Sequence, residues 1–270
     1  MLPQFPTLLK PSAALALLLL LGACDRQKPV ETTTPPASPT PAAAPARAVE
    51  KILTSGDTWP ATTHDTLHLG RGVARVLPGS GRLGGPARPE LPPRPEDGDS
   101  PELAKAQGRV QREGIQLRFK PEQGPEVVIK NDTADTEAMA FYHYWGTLAS
   151  ARQWVVSVGL YEGSAVELID QRTGRRTPAW GQPVASPDGR YVVTYSADLG
   201  AAFDPNGLQL FKVEPTGLRL VWERDLSSWE PRQVSWLDNT TLLIKQAQGP
   251  AEEDGKPQSA YMRLDLSQVL

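Results

Sequence analysis

The chain of 270 residues has little of several residue types on which common functions depend. It contains one cysteine and three histidines, which excludes internal disulfide bonds and metal sites built from several cysteines. Its 28 Lys and Arg against 31 Asp and Glu give a net charge of −3 without a basic run, so we expect no nucleic-acid partner. Hydrophobic residues make up 39% of the chain, which is too few for a polytopic membrane protein.

Proline and aromatic residues divide the chain into two regions. About half of the 27 prolines fall within residues 25–101, whereas Phe5 and Trp59 are the only aromatic residues before position 111. Large apolar side chains build cores, and proline interrupts regular structure. We therefore predict a packed domain over residues 111–270, preceded over residues 57–110 by short strands and a low-complexity Gly/Pro loop.

The first 23 residues have the pattern of a processed signal segment. Lys10 precedes an apolar stretch at 13–21, which as a helix would span about 14 Å, roughly half of a bilayer core. The stretch is too short for a transmembrane helix and runs into Leu21-Gly22-Ala23-Cys24. We expect residues 1–23 to be removed as a signal peptide.

The residues LGAC resemble the lipobox of bacterial lipoprotein precursors. The resemblance implies cleavage before Cys24 and lipidation of its thiol, with membrane lipid as the anchoring partner. The alternative is an ordinary secretory signal, although an exported chain with one unpaired thiol needs a reason for it. Two acyl chains give stable attachment, so we expect an anchor in the cell membrane or the outer membrane, with the protein facing the periplasm or the exterior.

Two low-complexity segments follow the cysteine. Residues 24–56 are rich in Pro, Ala and Thr, a composition that stays extended and predicts a disordered tether. Residues 62–69 alternate as a short strand that can form a hairpin with 70–76. Residues 78–107 predict an unstructured insertion or interdomain linker with one helical turn at 101–107.

From residue 114 onward the pattern is all-β. Residues 115–119 and 126–130 flank a turn and predict a hairpin, and 139–148, 154–160 and 166–170 are further strand candidates. Three stretches then align as imperfect repeats and are each followed by a second strand. The aligned stretches are 152–158, 189–195 and 239–245, and the strands that follow them are 166–170, 208–213 and 260–264.

The middle repeat contains Ser186-Pro187-Asp188-Gly189-Arg190, which resembles the blade signature of TolB-like and WD-type β-propellers; residues 233–239 look like a degenerate copy. The resemblance implies an antiparallel β-meander of propeller-like blades in which the Asp side chain caps a turn. A propeller needs at least four blades, and three repeats are present. Residues 115–130 with 139–148 are the candidate fourth blade, and the alternatives are an incomplete propeller, an open sheet or a β-sandwich.

Few residues suggest chemistry. Asp198, Asp204 and Asn206 share one loop and offer the hard oxygen ligands that calcium takes, although Asp-Pro-Asn-Gly is also a turn sequence. His64 and His68 would lie about 13 Å apart on a strand, too far for one metal ion. His143 lies in an aromatic strand, where a structural role is favoured over a catalytic base.

Trp180 and Trp229 fall in predicted connections, where an aromatic side chain can anchor a partner or pack as a loop cap. No nucleophile or cofactor motif is present. We therefore expect no enzyme and no cofactor, but a non-catalytic envelope lipoprotein that binds a protein partner. The alternatives are a lipoprotein that binds a small ligand or ion, and a glycan hydrolase using loop acids such as Asp198, Asp204 or Glu230.

Overall fold

The computed structural model describes residues 66–69, 72–77, 90–248 and 258–270. The predicted signal segment, Cys24, the tether and His64 lie outside these ranges. No helix in the described part of the chain is long and apolar enough to cross a bilayer.

The fold is all-β, as predicted. The described residues form sixteen strands in four antiparallel sheets, with one short 3-10 helix, Pro101–Ala106, where the sequence predicts a helical turn. Sheet 1 contains β3 (Val110–Glu113), β4 (Gln116–Phe119) and β5 (Val127–Lys130). Sheet 2 contains β6 (Ala140–Leu148), β7 (Gln153–Leu160), β8 (Ser164–Asp170) and β9 (Arg176–Ala179).

Sheets 3 and 4 complete the array. Sheet 3 contains β10 (Gln182–Ala185), β11 (Tyr191–Ser196), β12 (Gly207–Glu214) and β13 (Gly217–Asp225). Sheet 4 has the order β14-β15-β16-β2-β1, so its strands come from both ends of the described chain. They are β14 (Glu230–Trp236), β15 (Thr241–Gln248), β16 (Gln258–Asp265), β2 (Gly72–Leu77) and β1 (Thr66–Leu69).

The predicted N-terminal hairpin is confirmed as β1 and β2, and it extends the C-terminal sheet. His68 pairs with Val73 across this hairpin. β2 then pairs with β16 through Leu264 and Val76 among others. β2 thereby covers the side of β16 that faces away from β15, although β2 and β16 lie almost two hundred residues apart in sequence.

The three aligned repeats occupy equivalent positions in the fold. They fall on β7, β11 and β15, each the second strand of its sheet, and the strands that follow them are β8, β12 and β16. The turn before the aligned strand also recurs, because Arg152 and Gly189 both have positive φ, 54° and 68°. The alignment therefore corresponds to one repeated four-strand pattern.

Residues of the middle repeat form the turn that their sequence predicts. The Ser186 hydroxyl donates to the Asp188 carboxylate (2.7 Å) and accepts from the Tyr191 N–H (3.0 Å), while Asp188 also accepts from the Arg190 N–H (3.1 Å). In the degenerate copy, Asp238 accepts from the N–H groups of Thr240 and Thr241. These side chains satisfy turn donors that have no strand partner.

A hydrophobic core lies between each pair of successive sheets. Along β7, Trp154 and Val156 belong to the core shared with sheet 1, whereas Val155 belongs to the core shared with sheet 3. Along β11, Val192 faces sheet 2 and Val193 faces sheet 4. Since successive side chains of a strand point to opposite faces, sheets 2 and 3 are each packed on both faces.

The array is an incomplete, propeller-like row of four sheets. The three cores of the described residues join sheets 1 and 2, 2 and 3, and 3 and 4. The expectation that 139–148 joins the preceding hairpin is wrong, because β6 pairs with β7 along its length. The sheet outside the three repeats is sheet 1, in which the predicted hairpin of β4 and β5 is joined by β3 instead.

Part of the predicted linker is packed. Leu91 is 4% exposed and lies in the core between sheets 2 and 3. The Trp145 indole donates to the Pro92 carbonyl (2.9 Å), and the Ser100 N–H donates to the Tyr144 carbonyl (2.8 Å). The prediction of an unstructured linker is therefore wrong for residues 90–100, because this stretch contributes a core side chain and hydrogen-bonds to β6. The helical turn predicted at 101–107 is present as Pro101–Ala106.

Candidate functional site

The turn between β7 and β8 separates two concave surfaces at the end of sheet 2 where these two strands are joined. Gly163 in this turn has φ +87°, and the Leu160 N–H donates to its carbonyl (3.2 Å). Ser164 follows and contributes to both surfaces. On one side lies a groove formed with the loop 198–206, and on the other a cleft formed with residues 94–97.

Asp204 fixes the groove side of this turn. Its carboxylate accepts from the Ser164 N–H (2.7 Å) and the Ser164 hydroxyl (2.8 Å), and its own N–H donates to the Asp198 carboxylate (2.6 Å). Asn206 donates to the carbonyls of Leu226 (2.6 Å) and Trp229 (2.9 Å). Each of the three predicted calcium ligands is thus engaged in holding the loop.

No group of three or more His, Cys, Asp or Glu side chains that could hold a metal ion occurs within the described residues. Glu230, named from the sequence as a possible acid, is 5% exposed and accepts from the Leu199 N–H (3.0 Å). Its other oxygen lies 2.5 Å from the Arg232 guanidinium. This carboxylate on β14 is thus held by the loop 198–206 and by Arg232 of its own strand.

The groove has apolar walls. It has a volume of about 330 Å³ and is lined by Leu160, Trp180 and Phe203 among others. Phe203 is 63% exposed. Tyr161 is 54% exposed and lies in a neighbouring depression that shares Leu160 with the groove. Glu137 and Glu162 line the same depression. Large exposed apolar side chains that cluster in this way mark interaction sites rather than random surface.

The two tryptophans predicted as partner contacts have different environments. Trp180 is half-buried in the groove wall, and its backbone N–H donates to the side-chain oxygen of Gln209 (3.0 Å). Trp229 is 0% exposed and lies in the core between sheets 3 and 4. Of the two alternatives for Trp229, packing is therefore confirmed and partner contact is wrong, since its ring fills a core position and no surface of it meets solvent.

The cleft on the other side of Ser164 has a volume of about 660 Å³. The Arg94 guanidinium closes one end, donating to the Ser164 hydroxyl (3.2 Å) and to the Ala165 carbonyl (3.1 Å). Burial lowers the pKa of Arg94, an effect that the Asp204 carboxylate opposes. Arg94 thus fastens the segment 94–97 to sheet 2.

A second pair of groups fixes the far end of that segment. Arg112 donates to both oxygens of Asp99 (2.8 and 2.6 Å), and Asp99 also accepts from the Tyr144 N–H (2.7 Å). Burial by itself would raise the pKa of Asp99, but the hydrogen bonds from Arg112 and Tyr144 outweigh it and hold the pKa below its usual value. The wall of the cleft is therefore tied at both ends.

His143 lies in the cleft floor on β6, opposite Ser157 on β7. Burial lowers its pKa, and the carboxylates of Asp99 and Asp97 only partly oppose that shift. The imidazole is therefore neutral at pH 7. Its Nδ1 is buried and has no hydrogen-bond partner among the described residues.

Sequence reasoning identified His143, Trp180 and Asp204 but not the surfaces that unite them. Arg94 lies in a Gly/Pro/Arg-rich stretch that resembles a linker, and Phe203 is an apolar residue in an otherwise polar loop. An apolar Phe203 in a polar loop could have indicated an exposed surface site. The position of Arg94 could not have been predicted, because only the fold brings Arg94 against Ser164.

Fold and site together define an all-β protein whose described residues form four packed antiparallel sheets. Its two concave surfaces lie beside the β7–β8 turn, at one end of sheet 2. Comparison with protein-family models, with curated proteins and with solved structures finds no match in any of the three.

Proposed function

We propose that the chain is a membrane-anchored cell-envelope lipoprotein whose β domain is a non-catalytic module for binding a protein partner. Anchoring rests on the lipobox residues that end at Cys24 and on the absence of a second cysteine. Partner binding rests on one structural observation, the cluster of exposed apolar side chains around the β7–β8 turn. We call Leu160, Tyr161, Trp180 and Phe203 the aromatic patch.

The aromatic patch has the composition of an interface centre. Aromatic side chains are enriched where binding energy concentrates, because they bury a large area with few rotatable bonds. The patch is also held rigidly, since Asp204 fixes both the turn that carries Tyr161 and the loop that carries Phe203. A rigid surface loses little conformational entropy on binding.

The rim of the patch selects the kind of partner. Glu137 and Glu162 flank Leu160 and Tyr161, so the favoured occupant is a protein segment with a large apolar side chain next to Lys or Arg. The same two carboxylates disfavour insertion of the patch into an anionic lipid surface. The lipid contact of the protein is then supplied by Cys24 alone.

Site-specific crosslinking in cells tests partner binding. A photoreactive amino acid at Tyr161 is expected to capture one stoichiometric protein, whereas the same group at Val128, which is 42% exposed on sheet 1, captures none. Phe203→Ser should weaken the captured complex about 30-fold, as expected for removal of a side chain worth about 2 kcal/mol. Equal capture from both positions, or unchanged affinity in Phe203→Ser, would refute the proposal.

A parallel experiment tests the anchor. Cys24→Ser should move the full chain out of the membrane fraction and abolish incorporation of labelled palmitate. If Cys24→Ser still sediments with anionic vesicles and Phe203→Ser releases it, the patch is a membrane-binding surface and the protein-partner proposal fails.

A further inference from the structure

The cleft beside His143 is separate from the aromatic patch and has no part in the function proposed above. Its volume of about 660 Å³ lies inside the range of small-molecule sites, roughly 300 to 1,000 Å³. Its polar side chains are Arg94, Glu96, Asp97, His143, Ser157 and Ser164.

The floor of the cleft is built from two paired strands. His143 on β6 faces Ser157 on β7, and two residues along Phe141 faces Gly159. A side chain at Gly159 would meet the Phe141 Cβ at 4.0 Å, so the missing side chain leaves space beside a half-buried aromatic ring. The floor thus offers an apolar surface at one end and two hydrogen-bonding groups at the other.

The walls supply hydrogen-bond donors and acceptors together. Arg94 carries only donors, Glu96 and Asp97 carry only acceptors, and the serine hydroxyls do both. Glu96 and Asp97 are exposed, whereas Ser157 is 3% exposed. His143 also lines the floor, but its Nδ1 atom is buried and does not meet solvent.

This mixture discriminates between ligand charges. An anionic ligand in the cleft would lie beside Glu96 and Asp97, and a cationic ligand would lie beside Arg94. A neutral ligand avoids both repulsions. Hydroxyl groups are the neutral groups that donate and accept at once, so they match a lining in which donors and acceptors alternate.

We propose that the cleft is a binding site for a neutral polyhydroxylated ligand, a saccharide of one or two rings. The apolar face of a pyranose ring would pack on Phe141 beside Gly159, and its hydroxyls would bond Asp97 and Ser157. Binding requires no chemistry at these residues, and the site is independent of the aromatic patch.

Calorimetry with the full chain tests the site, in a detergent without a sugar headgroup. Maltose and N,N′-diacetylchitobiose serve as neutral probes, glucuronate as the anion and glucosamine as the cation. At least one neutral probe should bind with a Kd near 1 mM or lower. Asp97→Asn should weaken it about tenfold and Ser157→Ala about fivefold, as expected for a charged and a neutral hydrogen bond.

Asp135→Asn is the matched control, since Asp135 is an exposed acid outside the cleft, and it should leave the Kd unchanged. Phe203→Ser should also leave it unchanged, which separates this site from the protein-binding patch. Binding of glucuronate or glucosamine in preference to both neutral probes would overturn the proposal. So would the absence of heat from both neutral probes at about 10 mM, tenfold above the expected Kd.

Discussion

The turn at Gly189 provides the most direct test of how the sheets are packed. A Cβ at this position would lie 2.2 Å from the Ser150 carbonyl oxygen and 2.8 Å from its carbon, both of which are backbone atoms of the turn between β6 and β7. Gly189 also has φ +68°, where an L-residue is disfavoured by about 1–2 kcal/mol. Moving the backbone of the neighbouring sheet adds about 1–3 kcal/mol, so Gly189→Ala should destabilise the protein by about 2–5 kcal/mol.

Gly114→Ala is the matched control, because Gly114 has φ +56° and nothing within 4 Å of the position of its Cβ. Gly114→Ala should lower the free energy of unfolding only by the cost of an L-residue at positive φ, about 1–2 kcal/mol. Urea unfolding of both variants, followed by tryptophan fluorescence, gives the two free energies of unfolding. If the two variants are equally destabilised, Gly189 does not approach Ser150 as described and the packing of sheet 3 on sheet 2 is wrong.

Two further predictions concern stability. Asp170 is fully buried. Burial would raise the pKa of its carboxyl, but hydrogen bonds from Arg172 and Gln153 hold that pKa below its usual value. The ionised carboxylate therefore stabilises the fold above about pH 4, and this stabilisation is lost as the pH falls through the lowered pKa. Asp170→Asn should therefore be about 2 kcal/mol less stable than the natural protein at pH 7, with a smaller gap at pH 3 in urea unfolding; a constant gap would contradict this origin. Leu91→Ala should cost about 2–5 kcal/mol by cavity formation, while Glu90→Ala, at an exposed neighbour, changes little; equal effects would mean that the segment 90–107 is not part of the core.

Much of the fold was predictable because it is recorded in local patterns. The hairpin of β4 and β5, the hairpin of β1 and β2, and the helical turn at Pro101–Ala106 depend on alternation and turn residues that lie close together in sequence. The three aligned repeats correctly indicate equivalent strands. Each of these features is specified within about twenty residues, so a single sequence can reveal it.

The pairings between distant segments were not predictable in this way. β2 joins β16 through only three residue pairs, and nothing in either strand identifies its partner. Leu91 lies between prolines in a low-complexity stretch, yet it fills a core position. The same limit applies to the cleft, because Arg94 and Ser164 meet only after segment 90–107 folds back onto sheet 2.

The sequence also explains where the row of sheets stops. In β4, Leu117 and Phe119 are fully buried, whereas Gln116 and Arg118 alternate with them and point to the other face. Arg118 pairs there with Glu113 (2.8 Å) and Glu126 (2.7 Å), so the outer face of sheet 1 is charged and gains nothing by burial. β7 differs because side chains on both of its faces are buried, and sheets 1 and 3 pack against the two faces. A closed ring would need an apolar outer face on sheet 1, and replacing Arg118 and its partners would be the first step toward one.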